Sequence, residues 1–125
     1  MDDQTTIAYL RKLVDNFREA RQWHDPPKEL VLSMAVEVGE LAGHFRFRTE
    51  EEVRAYLKDP AGRQAIAHEI ADVLYHVLAL ASTIDFDLSA VFRDKLSLAA
   101  SRYPVPSARP PTAKGVQSKT RVPRS

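Results

Sequence analysis

The chain has 125 residues, of which 44% are hydrophobic, and a formal net charge of +1. These values are ordinary for a soluble globular protein, and the length suits a single domain with its own core. The chain has no cysteine, which excludes a disulfide framework, a thiolate nucleophile and a cysteine-type zinc site. The acidic, polar amino terminus has the features of neither a signal peptide nor a transit peptide. We therefore expect a cytoplasmic protein.

Five segments with apolar residues at helical spacing follow one another, and no segment shows the alternation typical of a strand. The predicted helices occupy residues 2–22, residues 28–45, a short segment that begins at Thr49, residues 60–84 and residues 87–103. Local capping signals mark three of the starts, namely Thr49 with Glu52, Asp59 before Pro60, and Asp87. Short connections make neighbouring helices antiparallel. The sequence therefore predicts an all-α antiparallel four-helix bundle with one short extra helix.

The long helix of residues 60–84 is the most apolar part of the chain. From residue 65 onward it has no lysine or arginine, and its only acidic residues are Glu69 and Asp72. We expect it to be buried nearly all round. Its length approaches that of a membrane span, but two acids and two histidines near its centre argue against one. We predict no membrane partner.

The segment after Pro104 differs in composition from the rest. It holds five basic residues, whereas all 17 acidic residues lie before it, and residues 104–125 include five of the eight prolines. Such a segment cannot bury enough apolar surface to order itself. We predict a helical domain over residues 1–104 and a disordered basic tail over residues 105–125, without stable binding of nucleic acid.

Two pairs of carboxylates carry the functional signal. Glu37 and Glu40 lie three residues apart on one apolar helix, and Glu69 and Asp72 have the same spacing on another. This spacing places each pair on one helix face. Most such pairs lie on solvated faces, but burying like charges on apolar helices is costly without a compensating cation. Carboxylate oxygens suit Mg²⁺ or Mn²⁺, so the sequence predicts one shared metal site.

The order of these motifs resembles the MazG-like nucleotide pyrophosphohydrolases, most closely the small members related to dCTP pyrophosphatase. Glu37-Val-Gly-Glu40 is followed, after about 28 residues, by Glu69-Ile-Ala-Asp72. The resemblance extends over residues 21–104 and includes Arg21-Gln22-Trp23, Pro27-Lys28-Glu29-Leu30, Asp87-Leu88 and Lys95 through Arg102-Tyr103-Pro104.

The resemblance implies Mg²⁺-dependent hydrolysis of nucleoside triphosphates to the monophosphate and pyrophosphate, in a homodimer or homotetramer. Its metal ligands would be Glu37, Glu40, Glu69 and Asp72, with Mn²⁺ as a substitute for Mg²⁺. Glu40, and after it Glu37, is the candidate to orient or deprotonate water. The candidate substrate contacts are Trp23, Phe47, His76, Lys95, Arg102 and Tyr103.

Three positions depart from the family pattern. Ala99 and Glu29 stand where asparagine is common in the family, and Phe47 stands where tryptophan often follows the second helix. Two other functions stay open at this point: a non-enzymatic helical interaction module, and a related all-α enzyme that acts on dUTP or phosphoribosyl-ATP. A di-iron bundle is disfavoured because its characteristic Glu-x-x-His pairs do not occur on these two helices.

Overall fold

The computed structural model describes residues 1–106, and this part of the chain is all-α, as predicted, with no strand. Its five helices are α1 (Ile7–Ala20), α2 (Pro27–Gly43), α3 (Glu50–Lys58), α4 (Pro60–Ile84) and α5 (Leu88–Arg102). The predicted tail of residues 105–125 lies almost entirely outside the described residues. The chain divides into two compact units, one ending at Phe86 and one beginning at Asp87, which carries α5.

The helix starts follow the capping residues. Thr49 accepts from the backbone N–H of Glu52 while the Glu52 carboxylate accepts from the N–H of Thr49, which completes the capping box of α3. Asp59 and Asp87 accept from the third residue of α4 and of α5. The predicted start of α1 was wrong: the helix begins five residues later, because the Thr6 hydroxyl caps it.

In the first unit, α4 is the central helix and packs against α1, α2 and α3, most extensively against α2. The buried apolar residues of this core are Leu30, Ile66, Leu78, Ala79 and Ala81. Gly62 allows α4 to approach α3, because a Cβ atom there would clash with the backbone oxygen and ring of Tyr56. The packing fixes α2 and α4 side by side, with their acidic pairs at the contact.

Arg11 joins α1 to the carboxyl end of α4. Its guanidinium donates to the hydroxyl of Ser82 at 2.8 Å and to the carbonyls of Phe86 at 2.6 Å and Ala81 at 3.0 Å. Ala81 belongs to the last turn of α4 and Phe86 follows it, and a cation is favourable at this end because the helix dipole is negative there. The contact orients α1 along the unit that holds the acidic residues.

The expectation that α4 is buried nearly all round was wrong for the single chain. Ile70 is 54% exposed and Leu74 is 39% exposed. On α2, four valine and leucine side chains are also about half exposed, namely Val31, Leu32, Val36 and Val38. In residues 1–106, α4 alone is long and apolar enough to span a membrane by composition. Its contacts with three helices and its central acids fit a core helix instead.

Candidate active site

Three of the four predicted metal ligands meet at the contact between α2 and α4. One carboxylate oxygen from each of Glu37, Glu40 and Glu69 lies within 4.8 Å of the other two. The i, i+3 spacing puts Glu37 and Glu40 on one face of α2, and the packing of α4 brings Glu69 to that face. The structure thus brings together residues that are about thirty positions apart in sequence.

The electrostatics of this carboxylate cluster favour a cation. The Oε2 atoms of Glu37 and Glu69 are buried and have no hydrogen-bond partner. Burial raises the pKa of Glu37 above its usual value, and the negative charges of Glu40 and Asp72 raise it further. Among residues 1–106, no lysine or arginine forms a salt bridge with the cluster. Unpaired carboxylate oxygens at this spacing fit a hard divalent cation.

Asp72 and His76 lie one turn apart on α4, beside the cluster. Asp72 is exposed, and its charge acts on Glu37. The Nδ1 atom of His76 lies 2.8 Å from the backbone carbonyl of Asp72. Because a carbonyl only accepts, this nitrogen carries the proton, which leaves Nε2 of His76 for another partner.

An aromatic cavity of about 390 Å³ is lined in part by Asp72, which lies beside the carboxylate cluster. Three rings line it, with Phe17 edge-to-face against both Trp23 at 5.7 Å and Tyr75 at 6.2 Å between ring centroids. The remaining lining residues are Arg18, Asp25, Leu30, Ser33, Asp72 and His76. The volume is within the range of small-molecule pockets. The structure therefore places two of the predicted substrate contacts, Trp23 and His76, in one cavity.

Phe47 and three residues of the second unit are the remaining predicted substrate contacts. Phe47 is 82% exposed, stacks against the Arg46 guanidinium and does not line the aromatic cavity. Lys95 and Arg102 belong to α5, and Tyr103 is the residue at its carboxyl end. These three belong to the second unit, and their contact with substrate stays a prediction.

Two residues near the site, Arg18 and His44, were not predicted from the sequence. The Nε2 atom of His44 lies 3.8 Å from Oε1 of Glu69. Its Nδ1 lies 3.1 Å from the hydroxyl of Tyr56 on α3. The sequence contained a signal for His44, because this residue lies seven positions after Glu37 and therefore on the same helix face. Arg18 had no such signal, since its contacts depend on how the chain turns after α1.

The chain and its structure are similar to known pyrophosphatases. The chain is 33% identical to human dCTP pyrophosphatase 1 over 108 residues, which are 85% of the chain and 64% of the relative. Its structure matches that of a pyrophosphatase from Archaeoglobus fulgidus with a TM-score of 0.72 and 27% identity, over 79% of the chain and 93% of the match. The resemblance to the MazG-like all-α pyrophosphohydrolases is confirmed.

The MazG-like resemblance covers most of this chain but not all of its relatives. The rat dCTP pyrophosphatase 1 is 32% identical over the same length, and the chain spans 64% of that relative as well. No protein-family model matches the chain. The structural match agrees with the observed fold, whereas the roles of individual site residues rest on the geometry above.

Proposed function

We propose that the chain hydrolyses nucleoside or deoxynucleoside triphosphates to the monophosphate and pyrophosphate in a Mg²⁺-dependent reaction. The observation that carries the proposal is the carboxylate cluster, with its unpaired oxygens on Glu37 and Glu69, next to an aromatic cavity of nucleotide-compatible size. Homology to enzymes named as pyrophosphatases supports it.

The metal would be held by Glu37, Glu40, Glu69 and Asp72, and Mn²⁺ would substitute for Mg²⁺. A triphosphate is strongly anionic, so carboxylates would repel it without a cation between them. Bound there, Mg²⁺ would polarise a phosphoryl oxygen and lower the pKa of a bound water. The protein's own part is to hold the charged groups at a fixed spacing.

Glu40 is the candidate to orient or deprotonate the attacking water. It is the most exposed of the three clustered glutamates, so a water that reaches the cluster from solvent meets it first. Glu37 is the second candidate. Burial and its acidic neighbours raise its pKa, so its protonated form, which cannot accept a proton, is favoured in the metal-free protein. A carboxylate that is not fully used as a ligand can accept the proton.

The nucleoside would occupy the aromatic cavity. Trp23 is 48% exposed and lines it, so the indole can stack on a base. His76 would contact the base or a phosphate through Nε2. Phe47 would offer a further aromatic face, and Lys95 and Arg102, with Tyr103 beside them, would contact phosphates.

The exposed apolar residues of α2 and α4 support assembly into a homodimer or homotetramer. Ile70 and Leu74, together with the exposed valines and leucine of α2, leave apolar side chains uncovered in the single chain, and exposed apolar faces often mark interaction surfaces. Pairing of these faces would complete the burial of α4. We further propose a cytoplasmic enzyme that removes unwanted deoxynucleotides.

The experiment is a substrate panel. Each common NTP and dNTP, with dUTP and phosphoribosyl-ATP, is incubated with the protein and Mg²⁺ or Mn²⁺, and pyrophosphate and orthophosphate are measured separately. We expect pyrophosphate, one nucleoside monophosphate per turnover and no reaction in EDTA. Release of orthophosphate alone would contradict the cleavage position. The absence of any reaction would favour the non-enzymatic interaction module. Reaction with only dUTP or phosphoribosyl-ATP would favour a related all-α enzyme.

A further inference from the structure

Arg18 is the only buried charged residue among residues 1–106, with 8% of its surface exposed. It lies on α1 and lines the aromatic cavity, where it is accompanied by Trp23 and Asp25. The same three residues also line a second cavity of about 400 Å³ towards the carboxyl end of α4. A buried guanidinium that borders open space on two sides is in a position to meet a ligand.

The guanidinium of Arg18 has few partners among the described residues. Its only salt-bridge partner in the described part of the chain is Asp25, with 3.6 Å between the nitrogen and the carboxylate oxygen, which is longer than a hydrogen bond. No hydrogen bond within residues 1–106 satisfies this guanidinium. Arg11, in contrast, uses three N–H groups on nearby oxygens at 2.6–3.0 Å. No nitrogen of Arg18 is among the fully buried side-chain atoms without a partner, so its donors reach the open cavity, where an incoming acceptor can meet them.

We propose that Arg18 recognises the nucleobase of the substrate by donating hydrogen bonds to its acceptor edge, an inference that rests on the proposed function. Two features favour the base over the phosphates as the partner. The neighbouring walls are the rings of Phe17, Trp23 and Tyr75, which suit a flat base. The carboxylate of Asp25 beside Arg18 repels phosphate but accepts from an amino or ring N–H group.

The pair of Arg18 and Asp25 defines a donor and acceptor pattern. A guanidinium presents parallel N–H donors and pairs best with two adjacent acceptors, and the carboxylate next to it accepts from a third group that donates. Cytosine offers this order along O2, N3 and N4, and guanine offers it along N7, O6 and N1. Thymine, uracil and adenine alternate acceptors and donors instead. Arg18 therefore selects cytosine and guanine nucleotides.

The test uses Trp23, the single tryptophan of the chain, as a fluorescent reporter inside the cavity. The full chain in EDTA is titrated with dCMP, dGMP, dTMP, dAMP and deoxyribose 5-phosphate, which has no base. We expect dCMP and dGMP to bind the wild type more tightly than dTMP and dAMP. Arg18→Met should weaken the binding of dCMP and dGMP by about 10- to 100-fold, because a bidentate contact is lost. The four nucleotides should then bind this variant with similar affinity.

The matched control is Arg21→Met, which removes an equal charge that stacks on the Phe17 ring at 3.6 Å but does not line the cavity. Its affinities should stay within about twofold of wild type, as for a surface charge. If Arg18→Met does not fold, Arg18→Lys takes its place, because lysine keeps the charge but lacks the paired donors. The four nucleotides should bind this variant with similar affinity. Circular dichroism melting curves establish the folded fraction of each variant.

Three outcomes would overturn the inference. If Arg18→Met weakens the binding of deoxyribose 5-phosphate as much as that of dCMP and dGMP, Arg18 is a phosphate contact. An unchanged order of bases in folded Arg18→Met or Arg18→Lys would make it a structural partner of Asp25, and so would a wild type without preference for dCMP and dGMP. Because these titrations contain neither metal nor turnover, their result is separate from the pyrophosphate assay that decides the proposed function.

Discussion

The imidazole of His44 lies between Glu69 of the carboxylate cluster and Tyr56 of α3. Its Nε2 is 3.8 Å from Oε1 of Glu69, and its Nδ1 is 3.1 Å from the Tyr56 hydroxyl, while the two rings stack at 5.8 Å. Arg48 covers the other ring of this pair, with its guanidinium 3.9 Å from the centroid of Tyr56. The short helix α3 thus supports, through His44, a carboxylate that belongs to α4.

We expect His44→Ala to weaken Mg²⁺ binding by about 10- to 100-fold, the usual cost of losing a group that orients a metal ligand. The measurement is isothermal titration of the folded protein with Mg²⁺ or Mn²⁺. His68→Ala is the control, because His68 lies on α4 but is exposed and bonded only to Gln64. Equal affinities in wild type and His44→Ala would rule out the positioning role.

The four acids should act as one unit in catalysis. Glu40→Ala and Asp72→Ala should each lower kcat by at least about 100-fold, because the charge arrangement that holds the metal and orients water is broken. Neither change should unfold the domain, since both side chains are exposed. Glu51→Ala on α3, also exposed, should keep near wild-type turnover. A Glu40→Ala or Asp72→Ala enzyme with half of wild-type activity at saturating Mg²⁺ would refute the site.

Mg²⁺ should stabilise the fold, because the carboxylate cluster exists only in the native state. At a concentration 100 times its Kd, a native-only ligand adds about 2.7 kcal/mol. Melting curves in EDTA and in millimolar Mg²⁺ should therefore differ for wild type and coincide for a double variant, Glu37→Gln with Glu69→Gln. NaCl at the same ionic strength controls for salt effects. Coinciding curves in wild type would speak against a metal site.

The raised pKa of Glu37 predicts how the stability of the metal-free protein changes with pH. The native state binds the Glu37 proton more tightly than the unfolded state, so the free energy of unfolding falls as pH rises from about the usual value of 4.5 through the raised pKa. Below that window Glu37 is protonated in both states, so it does not make the free energy of unfolding depend on pH. Denaturant unfolding in EDTA across this range should show the decline for wild type.

Glu37→Gln is the matching variant, because an amide has nearly the same shape and no charge. We expect it to be more stable than wild type at neutral pH and to lack this part of the decline. A stability difference between Glu37→Gln and wild type that does not change with pH would show that the carboxyl group does not titrate as the geometry implies. With Mg²⁺ present the dependence should reverse, because metal binding must displace the proton.

Local signals made most of the fold predictable. The starts of α3, α4 and α5 were correct because each depends on a capping residue and its immediate neighbours. The start of α1 was wrong because Thr6 competes with the acidic residues before it as a cap. The exposure of Ile70 was missed because apolar periodicity indicates that a face is buried without indicating which chain covers it.

The site residues that the sequence made predictable are charged residues on apolar helices. Glu37 and Glu69 stood out because charged residues interrupt apolar helices, and the structure joins them across α2 and α4. His44 and Arg18 were not identified, because their roles depend on contacts that the turn after α1 and the packing of α3 create. Aromatic lining residues such as Phe17 and Tyr75 look like ordinary core residues in sequence. Only their placement around a cavity distinguishes them.

Two glycines on neighbouring helices give the last prediction. A Cβ at Gly62 would overlap the backbone oxygen and ring of Tyr56, whereas a Cβ at Gly39 would have no atom within 4 Å in the single chain. Gly62→Ala should therefore destabilise the fold by about 1–3 kcal/mol, as overpacking does. Because Tyr56 contacts His44, it should also weaken Mg²⁺ binding in the fraction that folds.

Gly39→Ala should raise the free energy of unfolding by up to about 1 kcal/mol, because alanine is the better residue in a helix interior. Both changes add the same methyl group, so denaturant unfolding of the two variants compares a close helix contact with an open one. Gly39 lies on α2 between Glu37 and Glu40. If Gly39→Ala lowers stability or changes the oligomeric state in analytical ultracentrifugation, another chain must approach α2 at that position. An equal effect of both substitutions would contradict the contact between α3 and α4 at Gly62.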